Sequence, residues 1–269
     1  MIHAVVSIIA VVCYLAAAAY QGRHLLSRDH PQPPRRRFLA LGIIAVFAHG
    51  LGVFGTIYTE QGIDLGFYHV LSLIFWFVCL IGLLSNTRRP LESALALLFP
   101  LAAISIVLAY ALASTNPRLL TVEPGVFAHI VLSILAYSVL SLSALQAVML
   151  AVQERELKHR RTSGILNALP PLQTMEQILF ELLWIGLVLL SLSIVAGAIY
   201  IENLFAQHLV HKTVFTILAW CVFATLLWGH RQLGWRGHTA VRCTLAGFAL
   251  LFIAYFGTKV VLELILHRA

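Results

Sequence analysis

About eight apolar stretches, each close to twenty residues long and divided from the next by a short polar segment, decide what this chain can fold into. At a rise of 1.5 Å per residue, about 20 residues cross the roughly 30 Å hydrocarbon core of a bilayer. Backbone groups inside lipid have no water to bond to, so such a stretch must satisfy its own N–H and C=O groups as a helix. The expected fold class is therefore all-α, a polytopic integral membrane helical bundle of about eight transmembrane helices. Charged residues are 11% of the chain, against about 25% in soluble domains, too few to cover a water-facing surface. The net charge of +7 sits in short clusters between the apolar stretches and is not interleaved with aromatics. That argues for membrane orientation and against nucleic acid as a partner.

The expected spans are His3–Tyr20, Phe38–Tyr58, Gly66–Ser85, Leu91–Ala113, Val126–Val152, Ile178–Tyr200, Thr213–Gly229 and Thr239–His267. Breakers mark several boundaries: Pro31, Pro33 and Pro34, then Pro90, Asn116-Pro117, Pro124-Gly125 and Pro170-Pro171. Pro100 falls inside the fourth span, where it is expected to kink the helix. The first stretch lacks a basic leader and a convincing cleavage site, so it reads as a retained helix and not a signal peptide. The longest polar segment, Gln153–Gln177, is too short for a core of its own, and one transmembrane domain over residues 1–269 is expected. Every Lys and Arg except Arg118, Lys212, Lys259 and Arg268 lies in or beside the loops after the first, third, fifth and seventh spans. The positive-inside rule puts those loops in the cytoplasm and both termini on the outer side. The expected location is a bacterial inner (plasma) membrane, multi-pass, with the lipid bilayer as the first partner.

Cys13, Cys79, Cys221 and Cys243 form no C-x-x-C or C-x-x-C-H pattern and read as small apolar packing residues. The histidines carry more information. His24, His30, His159, His230 and His238 fall in polar loops, and His3, His208 and His267 near outer helix ends. The four that fall within or at the mouth of spans are His49, His69, His129 and His211. Ionisable side chains inside a membrane are costly and normally mark a functional interior. His49 lies on a stripe of small residues, Gly42, Ala45, Gly52 and Thr56. His129 shares a face with Ser133, Ala136, Tyr137 and Ser143, and His69 with Ser72, Trp76 and Cys79. Such stripes suit a flat haem, with imidazole for iron and small residues for the porphyrin plane. They suit close helix packing equally well, and spacing alone does not decide. Zinc is the other metal that imidazole suits, but the cysteines do not accompany these histidines closely in sequence and no H-E-x-x-H motif is present. Buried carboxylates are few: Glu181 near the start of the sixth span, and Glu263 four residues after Lys259 in the eighth. That is thin support for a proton or cation pathway, and no nucleophile–base pair suggests an enzyme.

From the fifth span onward the sequence resembles a known family. The stretches that carry the resemblance are His129-Ile-Val-Leu-Ser-Ile-Leu-Ala-Tyr137, Leu169-Pro-Pro-Leu-Gln-Thr-Met-Glu176, His211-Lys-Thr213 with Ala219-Trp220, Gly234-Trp-Arg-Gly237, Ala246-Gly-Phe248 and Ala254-Tyr-Phe-Gly257. They are similar to the cytochrome c assembly protein family, the haem-handling membrane proteins of the CcsA and HemX type, and most of all to its YpjD-like inner-membrane branch. The resemblance implies a haem-binding bundle acting in or near cytochrome c biogenesis, with haem b held by histidines in the outer half. His49, His129, His211 and His69 are then the cofactor-binding candidates, the first three as iron ligands, and cytochrome c maturation proteins or another membrane protein the partners. One departure bears on activity. The family's tryptophan-rich outer loop is replaced here by Ile201-Glu-Asn-Leu-Phe-Ala-Gln-His208. That favours a haem-handling or accessory protein over a haem lyase. The alternative is a membrane transporter, or an accessory subunit of one, without haem.

Overall fold

A computed structural model describes residues 2–26, 35–59, 62–86, 91–112, 119–120, 123–159, 169–200 and 210–257. Within them run eight helices long and apolar enough to cross a membrane, as the sequence led us to expect. They are α1 (Ile2–Leu26), α2 (Arg35–Ile57), α3 (Phe67–Ser85), α4 (Glu92–Ala111), α5 (Pro124–Lys158), α6 (Leu172–Tyr200), α7 (Val210–Leu233) and α8 (Gly237–Phe252). A single π-helical turn, Ile253–Gly257, continues α8. The expected loops at 114–118, His30, the stretch Ile201–His208, His267 and the Lys259–Glu263 pair lie outside the described residues. Several helices exceed their apolar stretches, α5 and α6 by six residues at one end. α5 continues through Gln153-Glu-Arg-Glu-Leu-Lys158, all strong helix formers, with Glu154 and Lys158 four apart. α6 starts directly after Pro170-Pro171, because proline without an N–H is tolerated where the first helical N–H groups have no partner.

The helices group into two compact units, Met1–Thr121 with Glu156–Pro170, and Val122–Arg155 with Pro171–Ala269. In the first unit α1 packs on α2 and α4, and α3 on α2 and α4. Each helix is apolar all round, and what differs between its faces is residue size. On α2, Ile43, Phe47 and Leu51 are exposed, at lipid-facing intervals of one turn. The opposite face buries Gly42, Ala45, His49 and Gly52. The small residues let neighbours in. A Cβ at Gly42 would meet Phe99 of α4 at 3.0 Å, one at Gly52 would press on the Ser7 hydroxyl of α1, and one at Gly50 would meet the Trp76 indole of α3 at 2.8 Å. The stripe that could have lain against a flat cofactor is thus filled by protein, the packing expected of small-residue helix faces in membranes.

A short antiparallel ladder ends this unit. β1 (Tyr58–Thr59) pairs with β2 (Gly62–Asp64), and β2 with β3 (Leu119–Leu120), so that Asp64 stands opposite Leu119. At the other end the Arg35 guanidinium donates to Glu92 at 2.7 Å, and the Asn86 side chain accepts from the Leu91 N–H at 2.7 Å, closing the α3–α4 turn.

The second unit holds α5–α8 and the π turn, and its packing is uneven along the helices. No residue of α5 before Ile134 is buried, and α7 has none before Ala219. Beyond those points the core is dense, with Leu140, Leu150, Leu179, Leu183, Phe223 and Leu226 fully enclosed. The α7–α8 corner is tight. Gly234 and Gly237 take positive φ, 69° and 51°, which glycine adopts without strain. The Gly237 N–H donates to the Glu176 carboxylate at 2.6 Å, fixing the start of α8 to the first turn of α6.

Candidate functional site

An imidazole can hold iron only through a nitrogen with a free lone pair, so the hydrogen bonds at each ring sort the four candidates. His49 is 1% exposed and has both nitrogens engaged: Nδ1 shares a hydrogen bond with Tyr14 Oη at 3.2 Å, and Nε2 with Ser72 Oγ at 2.9 Å. These bonds join α1, α2 and α3 in mid-helix. In either tautomer no lone pair is left over. His49 as it stands does not fit an iron ligand.

His69 differs. Its Nδ1–H donates to Asp64 Oδ2 at 2.9 Å, both side chains about nine-tenths covered. Asp64 Oδ1 accepts the Gly66 N–H at 2.8 Å, so the carboxylate is held from both sides and its position is set by β2. A donated Nδ1–H leaves the lone pair of the neutral ring on Nε2, which meets no partner among the described residues.

His129, one turn inside α5, shows the same pattern with a backbone partner. Its Nδ1 lies 2.8 Å from the Ser193 carbonyl of α6. A carbonyl can only accept, so Nδ1 carries the proton and Nε2 the lone pair. Ser133 Oγ is 3.4 Å from Nε2. Its hydroxyl donates to the His129 carbonyl at 2.7 Å and also bonds Ser193 Oγ at 2.7 Å, so its proton is committed elsewhere. The ring packs against Gly197, where a Cβ would stand 3.0 Å from Cε1 and 3.1 Å from Nδ1. His129 also sits in the part of α5 where nothing is buried. It therefore combines a fixed ring, an open nitrogen and space. His211 is exposed in the first turn of α7 and makes no hydrogen bond among the described residues.

The four rings therefore divide into His49 and His69 in the first unit and His129 and His211 in the second. No group of three or more His, Cys, Asp or Glu among the described residues is placed to hold a metal ion. The donor set suits a planar metal complex, which brings four equatorial ligands of its own, better than a bare ion. Sequence reasoning missed Asp64, Ser193 and Gly197, the partners that prepare these rings. Asp64 carried a signal, a carboxylate five residues before a histidine at a span's edge. A backbone carbonyl carries none. If His129 is an iron ligand, Gly197→Val should push its ring off Ser193 and weaken haem uptake about tenfold or more, the usual cost of disturbing an outer-shell partner. Titration of the purified variant with haem, followed by absorbance, measures it, and parental affinity would sink the point.

Comparisons with known proteins bear on what the arrangement is for. A family model described as cytochrome C assembly protein matches residues 38–266. The chain is 32% identical over 263 residues to Inner membrane protein YpjD of Escherichia coli (strain K12), covering 97% of this chain and 99% of that one. It is 27% identical over 160 residues to Protein HemX of Brevibacillus brevis, 59% of this chain and 54% of the other. Over 89 residues it is 26% identical to Cytochrome c biogenesis protein CcsA of Picosynechococcus sp., 32% of this chain and 26% of the other.

Proposed function

Since the chain belongs to the cytochrome C assembly protein family, we propose that it is a haem-handling inner-membrane protein acting in or near cytochrome c biogenesis, with His129 as the imidazole that takes iron. One observation carries the residue assignment: Nδ1–H of His129 is spent on the Ser193 carbonyl, which leaves Nε2 open beside the unburied first turns of α5. Bound haem b would supply the iron and its redox chemistry, and the chain supplies the fixed ring. Ser193 sets the tautomer, and Gly197 lets the ring lie against α6. His211, in the same unit and exposed, is the second ligand this reading names. His69, backed by the Asp64 carboxylate, meets the same chemical criterion and is a stronger electron donor for it. His49 instead ties three helices together through its two hydrogen bonds.

The names of the relatives support the setting: one is called an inner membrane protein and another a cytochrome c biogenesis protein. The missing tryptophan loop at Ile201–His208 directs the reading to haem custody or an accessory task in place of haem transfer. An absorption spectrum of the protein in mild detergent, with and without added haem, is the test. A Soret band of bis-imidazole character is expected. A colourless chain that takes up no haem and copurifies with a membrane partner would overturn the proposal in favour of a transporter subunit.

The basic residues in the loops after α1, α3, α5 and α7 further support an orientation with both termini on the outer side. Alkaline phosphatase fused after Ala269 should be active and a cytoplasmic reporter at the same point silent. The reverse pattern would invert the topology and with it the side on which His129 opens.

A further inference from the structure

We propose that the α7–α8 corner of the second unit binds the phosphate of an anionic phospholipid headgroup on the guanidinium of Arg231. Arg231 lies 4.7 Å above the centre of the Trp184 ring. That contact fixes the planar cation without using any of its N–H donors. No carboxylate lies within ion-pair distance of it among the described residues. A guanidinium held in place with its donors open is built for a bidentate oxyanion, and phosphate is the one a membrane supplies.

Its surroundings indicate a lipid as the source of that phosphate. Trp228, one turn before Arg231 on the same face of α7, is 59% exposed, Leu233 is 59% exposed and Trp184 37%. Trp at the end of an apolar span marks the headgroup level, and exposed apolar side chains beside the cation would meet acyl chains. The corner is rigid. His230 stacks on Phe180 with ring centres 3.5 Å apart and donates through Nδ1 to the Trp235 carbonyl at 2.8 Å. Trp235 folds back on Gly229, where a Cβ would collide with its ring at 2.4 Å. Arg231 is thus presented from a stiff frame, so little order is lost when a ligand arrives.

The test is native mass spectrometry and thermal denaturation of the full chain in mild detergent, with phosphatidylglycerol, phosphatidylcholine or inorganic phosphate added. Phosphatidylglycerol should be retained and should raise the melting temperature, and the other two should do neither. Arg231→Gln should lose phosphatidylglycerol affinity by about tenfold or more, the scale of a charge-assisted contact. Arg155→Gln, an exposed site with the same loss of charge, should change it little. Arg231→Lys should fall between, keeping the charge but losing the fork. Equal retention of phosphatidylcholine, an equal loss in Arg231→Gln and Arg155→Gln, or full competition by inorganic phosphate would each overturn the lipid assignment. None of these readouts depends on haem.

Discussion

His129→Ala, purified in mild detergent and titrated with haem, should lack the Soret band expected of the parent chain. Loss of an outer-shell partner costs roughly 10–100-fold in metal affinity, and loss of the ligand itself should exceed the upper end of that range. The variant should still fold. His129 lies where α5 buries nothing, and its one strong hydrogen bond is to the Ser193 carbonyl. Such a bond is worth about 1 kcal/mol net. The melting temperature should therefore stay near that of the parent. His211→Ala should shift the band from a six-coordinate to a five-coordinate form and leave it visible. An unchanged spectrum in His129→Ala would assign iron to another ring.

His49→Ala should do the opposite. Removing this ring strands the Ser72 hydroxyl, leaves the Tyr14 hydroxyl with Cys79 as its remaining neighbour, and opens a cavity among fully buried side chains. Buried unsatisfied groups cost about 1–3 kcal/mol each in water-soluble proteins and less inside membranes, to which the cavity adds its own share. A loss of about 2–4 kcal/mol is expected, read as a lower melting temperature and lower yield. The Soret intensity per folded molecule should match the parent. His49→Gln, which can keep one of the two bonds, should recover part of the stability. If His49→Ala melts like the parent and loses its haem, His49 is a ligand and its hydrogen bonds are incidental.

The two variants also mark how far the sequence could be read. The eight spans were legible because hydrocarbon thickness and backbone satisfaction leave no other structure for such stretches. The family was legible from the second half, where His129, His211 and the Gly-Trp-Arg-Gly turn stand at recognisable spacing. The roles of the histidines were not. His49 and His129 look alike in sequence, each on a stripe of small residues. They differ in what stands at the second nitrogen: Ser72 of α3 bonds His49 Nε2 at 2.9 Å, whereas Ser133 stands 3.4 Å from His129 Nε2 with its proton on a backbone carbonyl. The Gly42–Gly52 stripe likewise signals a close approach without saying of what. Phe99 and Ser7 occupy it. The ladder around Asp64 was illegible for a plainer reason: strands of two or three residues carry too few side chains to show a period.

The uneven packing of α5 and α7 also bears on how this chain can drift in evolution. Side-chain volume is under tight constraint past Ile134 and Ala219, where Leu140, Leu150 and Phe223 interlock, and is looser before them, Gly125 apart, where a Cβ would collide with the Tyr200 ring. A saturation scan of the second unit should therefore be lopsided. Most exchanges among apolar residues in the opening turns of the two helices should be silent, with the proposed ligands His129 and His211, and the α6 residues Ser193 and Gly197 that support His129, standing out as intolerant positions. Relatives could thus diverge freely around this site while keeping it.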